Sequence, residues 1–186
     1  AHEAFERGLE LMERTGARAS AIMLLTFGSH LAAMVGREEL AEERVSRLGR
    51  MVEEARRSAS EQEGAILELR QRFASANLHL ARGDYESALP HLEWTMDFVW
   101  RWRVLGIEPD YLTAFARLVR ARLLAARRGA PPGGRGLEWG RLRKALSRGE
   151  RYAKNCPSLM PEILLAQGML QWERGQRAEG IASLQH

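Results

Sequence analysis

The chain has 186 residues, 45% of them hydrophobic and 28% charged, with a net charge of +4, a balance that suits a folded domain and not a disordered one. No apolar run approaches the roughly 20 residues that a membrane-spanning helix needs, which argues against a helical membrane protein. A single cysteine, Cys156, excludes an internal disulfide framework and fits a reducing cytoplasm.

Period-two alternation is scarce, β-branched residues are few, and alanine, leucine, arginine and glutamate dominate, so an all-α chain of about nine helices is expected. Residues 2–15 hold a first amphipathic helix, closed by Thr15 and Gly16. A helix over 19–35 turns at Gly36, and a second over 38–57 breaks at Ser58, Ala59 and Ser60, with Ser60 as an N-cap ahead of Glu61 and Glu63. The next pair covers 61–105 and turns at Gly83 and Asp84. Gly106 to Asp110 interrupts the chain, with Asp110 as the cap of a helix from 111 to 128. A proline- and glycine-rich stretch at 129–136 cannot be helical and reads as a surface loop. Helix resumes over 137–154, breaks at Asn155, Cys156 and Pro157, restarts at Ser158 with Glu162, turns at Gly175 and continues to 186. The pairs are thus 19–57, 61–105, 110–154 and 158–186. A chain that starts at Ala1 and stops inside a helical pattern is expected to be a piece of a longer polypeptide.

The turn glycines form a ladder. Gly36, Gly83, Gly129 and Gly175 stand 47, 46 and 46 residues apart, and Leu31, Leu78, Leu124 and Leu170 each precede one by five positions. A fixed period of this size is the signature of a stacked helical-repeat array. Around Gly83, the run from Ala81 to Leu89 resembles a tetratricopeptide repeat (TPR): a helix ends at glycine, an Asp–aromatic–acidic run opens the next, and Ala88 follows five residues after the glycine. Gly168 and Gly180 fill the corresponding small-residue positions of the fourth pair. Ser29 and Ala41 do so in the first, and Ala76 in the second. The period exceeds the roughly 34 residues of the family, and the third pair has Arg122 where a small residue belongs. The resemblance therefore implies a TPR-like, right-handed α-solenoid of antiparallel pairs. Long, arginine-rich bacterial versions resemble the helical sensor regions of signalling ATPases of the maltose-regulator (STAND) kind and of kinase-linked regulators.

No P-loop, G-x-G-x-x-G, H-E-x-x-H or C-x-x-C motif occurs. The five histidines show no metal-ligand spacing, and nothing near Cys156 in sequence would activate it. The paired glutamates Glu38-Glu39 and Glu42-Glu43 sit in the first turns of a helix, where acidic groups favour the macrodipole. No catalytic, cofactor or metal residue is expected. Binding is the better prospect, and three features bear on it. Arginine supplies 26 of the 28 basic residues, a ratio that suggests a GC-rich bacterial source. Residues 101–154 carry 14 basic and 4 acidic groups, while every other part of the chain is net acidic. Within that segment Arg141, Lys144, Arg148 and Arg151 recur at helical spacing and form one cationic face. Trp94, Phe98 and Trp102 form one apolar stripe and Leu89, Leu92, Met96 and Val99 another. Trp100 fits neither, about 200° from Trp102 on the helical wheel, and is expected exposed beside Arg101 and Arg103. Finally, the TPR resemblance implies a concave groove, whose ligand-contacting offsets fall on His30, Arg70, Phe73, Asn77, Met169 and Trp172, and on Val119 and Leu123 in the third pair.

These features predict a non-catalytic scaffold of a larger bacterial cytoplasmic signalling protein, docking a peptide or neighbouring domain in the groove with the basic pair adding attraction. The alternatives are a small-ligand sensor controlling an attached ATPase or kinase, and nucleic-acid binding through residues 117–154.

Overall fold

The computed structural model describes residues 2–102, 109–128 and 138–185. Among them are nine α-helices and no strand: α1 His2–Arg14, α2 Arg18–Met34, α3 Glu38–Arg56, α4 Glu61–Ala81, α5 Tyr85–Trp102, α6 Ala114–Arg127, α7 Trp139–Ala153, α8 Met160–Glu173 and α9 Arg177–Gln185. No helix among the described residues is long and apolar enough to cross a membrane. The contacts divide the chain into two compact units, Ala1–Asp84 and Tyr85–His186.

The helices end where left-handed backbone is cheapest. Gly16, Gly36, Gly83 and Gly175 have φ of 74°, 74°, 68° and 81°, and glycine alone enters that region without a Cβ penalty. Past all four turns the same bond closes the helix: Ala17 N–H donates to Met12 O at 2.8 Å, and Arg37 N–H to Ala32 O, Asp84 N–H to His79 O and Gln176 N–H to Gln171 O, each at 2.9 Å. All four ladder leucines accept a helix-end amide, from Val35, Arg82, Arg128 and Arg174, at 3.1–3.3 Å. Their side chains do not share a role, since Leu78 and Leu170 are buried but Leu31 is 60% exposed. The ladder therefore marks a backbone position and not a packing position. Gly129 and the proline–glycine stretch lie outside the described residues.

In the first unit, α2 packs against α1, α3 and α4, and α3 against α4. Helix α2 is apolar nearly all round, the pattern of a helix covered on several sides, and Leu9, Ile22, Leu25, Leu48, Val52 and Ala74 form the core around it. Its buried hydroxyls are satisfied locally, Thr26 donating to Ile22 O and Ser29 to Thr26 O, both at 2.8 Å. A clasp joins three helices at Gly28. A Cβ there would meet the Phe5 ring at 2.2 Å. The Arg44 guanidinium covers that ring at 3.7 Å, donates to Gly28 O at 2.9 Å and pairs with Glu6 at 3.2 Å.

In the second unit α6 is central, packing against α5, α7 and α8, while α8 packs against α9. The two units share a layout: the first helix of one pair lies beside the first helix of the next (α2 with α4, α6 with α8), and the intervening helix touches both. The small residues named from sequence sit at contacts. Ser29, Ala41, Ala76 and Ala88 are buried, and a Cβ on Gly180 would stand 3.0 Å from Gly168 O and 3.3 Å from Trp172 N.

Two helix starts differ from expectation. The helix placed at 111 begins as a 3-10 turn, Pro109–Thr113, and α6 follows with Thr113 and not Asp110 as its N-cap. Tyr111, Leu112 and Thr113 are all buried, and the Thr113 side chain makes no cap hydrogen bond, so this start is packed into the core. Likewise a 3-10 turn, Pro157–Leu159, precedes α8, which starts after Leu159 and not at Ser158, with proline in its first turn, where the missing N–H costs nothing.

The start of α4 is as expected and more complete. Ser60 Oγ accepts from Glu63 N–H, and Glu63 accepts from Ser60 N–H at 2.9 Å and Ser60 Oγ–H at 2.8 Å. The Ser60 backbone bond, then its hydroxyl, hold the Glu63 carboxyl below its ordinary value of 4.5. The hydrogen bond from Arg82, then its charge, do the same for Glu42.

Two predictions follow from these contacts. Gly180→Val should lower unfolding free energy by about 1–3 kcal/mol and speed amide exchange in α9. Gly64→Val, with nothing within 4 Å of its Cβ position, should show neither effect. Ser60→Ala should cost about 1 kcal/mol at neutral pH. Because Glu63 and Glu42 have depressed folded values, their contribution is complete above the unfolded value and is lost as pH falls through the folded one. Denaturant midpoints should therefore hold down to about pH 5 and then drop, and Ser60→Ala should drop less.

Candidate functional site

The second unit sorts its basic residues into two classes. The arginines of α6 are paired with carboxylates of neighbouring helices. Arg117 and Arg120 meet Glu162 of α8 at 3.5 and 2.7 Å. Arg127 pairs with Glu173 of α8, and Arg122 with Glu93 of α5. Arg117 is only 8% exposed, a position a guanidinium holds only with a counter-charge. This explains how Arg122 occupies the small-residue position of the third pair: its charge is met by α5.

Helix α7 is built differently. Leu142, Ala145, Leu146, Gly149 and Ala153 are buried, at i, i+3, i+4, i+7 and i+11. Gly149 lets the helix approach closely, since a Cβ there would meet Ile163 at 2.5 Å and Phe115 at 3.2 Å. Tyr152 stacks on Phe115 with centroids 5.7 Å apart, and its hydroxyl donates to Val99 O at 3.4 Å. With that face turned in, Arg141, Arg143, Lys144, Arg151 and Lys154 are exposed. Arg143, Lys144, Arg151 and Lys154 make no ion pair among the described residues. Arg141 reaches Glu93 and Glu138 only at 3.8 and 3.9 Å.

Arg148 is the exception on this face. Its guanidinium lies over the Trp100 ring at 4.1 Å, and both residues are half-buried. Trp100 is thus not the exposed residue expected beside Arg101 and Arg103. Its cation comes from α7, 48 positions along the chain, and it joins the cationic face from below. Arg101 is exposed on α5, and Arg103 lies outside the described residues. Leu89, Leu92, Met96 and Val99 are buried and Trp94 stacks on Phe98 at 5.1 Å, as the two stripes predict, while the Trp102 side chain lies outside the described residues.

The residues assigned to a groove are dispersed in exposure. In the first unit, Phe73 is fully buried and Asn77 is 5% exposed, so both offer little surface for contact. His30, half-buried, lies 5.9 Å from the Phe73 ring, and Arg70 donates to Ala19 O at 3.4 Å. In the second unit Val119 and Leu123 are fully buried, Met169 is half-buried, and Trp172 is 42% exposed with Arg177 over its ring at 5.3 Å. Sequence reasoning missed Glu93, Glu162, Glu173 and Tyr152. Two of these carry a readable signal: Glu162 and Glu173 are eleven residues apart, three helical turns, and so lie on one stripe facing α6. Among the described residues no group of three His, Cys, Asp or Glu side chains stands close enough to hold a metal ion.

The Trp100–Arg148 stack is testable by fluorescence. Arg148→Ala should increase acrylamide quenching of tryptophan emission, and Trp100→Phe should abolish that increase. No protein-family model, curated protein or solved structure matches the chain.

Proposed function

We propose that the chain is a non-catalytic, TPR-like scaffold of a larger signalling protein, and that it docks an acidic segment of a partner or neighbouring domain on the α7 face. The turn glycines at 36, 83 and 175 and the recurring side-by-side first helices support the TPR-like reading. The observation that carries the docking is the contrast between α6 and α7. A unit that meets four α6 arginines with carboxylates leaves Arg143, Lys144 and Arg151 of the adjacent helix, and Lys154 just past it, exposed and with no ion-pair partner among the described residues. Such a mainly positive surface attracts acidic partners and speeds their encounter. The groove residues enter as a secondary surface, with Trp172 its most accessible member.

Nucleic acid is the weaker reading of the same charge. Single strands bind by stacking bases on aromatic faces beside a basic groove, and the Trp100 ring beside this face is covered by Arg148. The Glu93 and Glu138 carboxylates beside Arg141 also repel a phosphate backbone.

Titration with poly-glutamate and with duplex DNA of equal charge distinguishes the two. The proposal expects poly-glutamate to bind, to weaken about tenfold or more as salt rises past the range where surface charges are screened, and to be lost in Arg143→Glu/Lys144→Glu/Arg151→Glu. No binding, or preference for DNA, contradicts it.

A further inference from the structure

We infer that the segment docking on α7 is itself an α-helix, carrying carboxylates at i, i+4 and i+7 opposite Lys144, Arg148 and Arg151. This rests on the reading of α7 as a surface for an acidic partner.

The cations at 144, 148 and 151 advance by four and three residues, which is about 6 and 4.5 Å along a helix axis. A facing helix with the same steps keeps its carboxylates level with them over the whole stripe. An extended segment places same-face side chains about 6.6–6.8 Å apart and falls out of register by the third cation.

This chain already joins its own helices in the same way. Glu6 and Glu13 of α1, seven residues apart, meet Arg44 and Arg47 of α3 at 3.2 and 2.9 Å. Glu162 and Glu173 of α8, eleven apart, meet Arg117, Arg120 and Arg127 of α6. Both separations are close to whole turns, so in each unit a carboxylate stripe on one helix meets an arginine stripe on another. Helix α7 carries the arginine–lysine half of this arrangement on its exposed side. One end of the face is marked: Glu93 and Glu138 stand beside Arg141, so the partner helix is neutral or basic opposite that end.

Two synthetic helices of about six turns, equal in composition, net charge and helicity by circular dichroism, test this. One carries glutamate at i, i+4 and i+7 on one stripe, and the other has the same glutamates spread around the helix. Fluorescence anisotropy should show the striped helix binding about tenfold tighter. Lys144→Glu/Arg151→Glu, at positions exposed enough to leave the fold intact, should remove that difference, and a striped lysine helix should restore tight binding to this variant. Equal binding of both helices overturns the inference while leaving the acidic-partner reading in place. Binding of neither, with no rescue by the lysine helix, overturns both.

Discussion

Helix axes in this chain come together where a side chain is missing, and the rest of the structure depends on that. Gly180 sets its α-carbon against the backbone of α8 at Gly168 and Trp172, Gly149 lets α7 settle on Phe115 and Ile163, and Gly28 leaves space for the Phe5 ring. At each contact a Cβ would enter space already filled, by backbone at Gly180, by a ring at Gly28 and by the Ile163 side chain and Phe115 Cβ at Gly149, and a close-packed interior has little slack to absorb it. The contact at Gly149 has the widest consequence. It belongs to the buried arc of α7 with Leu142, Ala145, Leu146 and Ala153, Tyr152 reaches α5 beside it, and with that arc turned in, Arg141, Arg143, Lys144 and Arg151 are exposed.

Charge follows from packing. Arg44 and Arg117 are each only 8% exposed, and burying a guanidinium is tolerable because Glu6 and Glu162 approach it and, for Arg44, because Gly28 O accepts from it. Removing one partner from such a pair leaves the other charge uncompensated, which costs far more than losing an exposed pair. The basic third pair therefore has two populations with different duties. Those on α6 bind helices of the same unit together, and those on the exposed side of α7 have no close carboxylate among the described residues.

Elements whose determinants are local were legible from sequence. Turn glycines, the Ser60 cap and the small residues at 29, 41, 76, 88, 168 and 180 depend on neighbours within a turn or on the absence of bulk, and both can be read from the residues themselves. What was not legible depends on distant partners. α6 and α8 start after the buried residues Tyr111, Leu112 and Leu159, with Thr113 and Leu159 at the N-cap positions where the residues themselves suggested Asp110 and Ser158. The α6 arginines were grouped with those of α7 because their carboxylates lie far off in sequence, on α5 and α8. Trp100 was placed in water for the same reason. Phe73 and Asn77 fell at the groove offsets of a shorter repeat, and in these longer helices those positions are buried.

The central claim is that α6 cations are structural and α7 cations are not. Equilibrium denaturation of Arg117→Gln/Arg120→Gln and of Lys144→Gln/Arg151→Gln measures it directly. The first pair should cost about 1–3 kcal/mol, because Glu162 loses both its partners. The second should stay within about 0.5 kcal/mol of the parent chain. Equal losses from both pairs, or none from the first, would contradict the account.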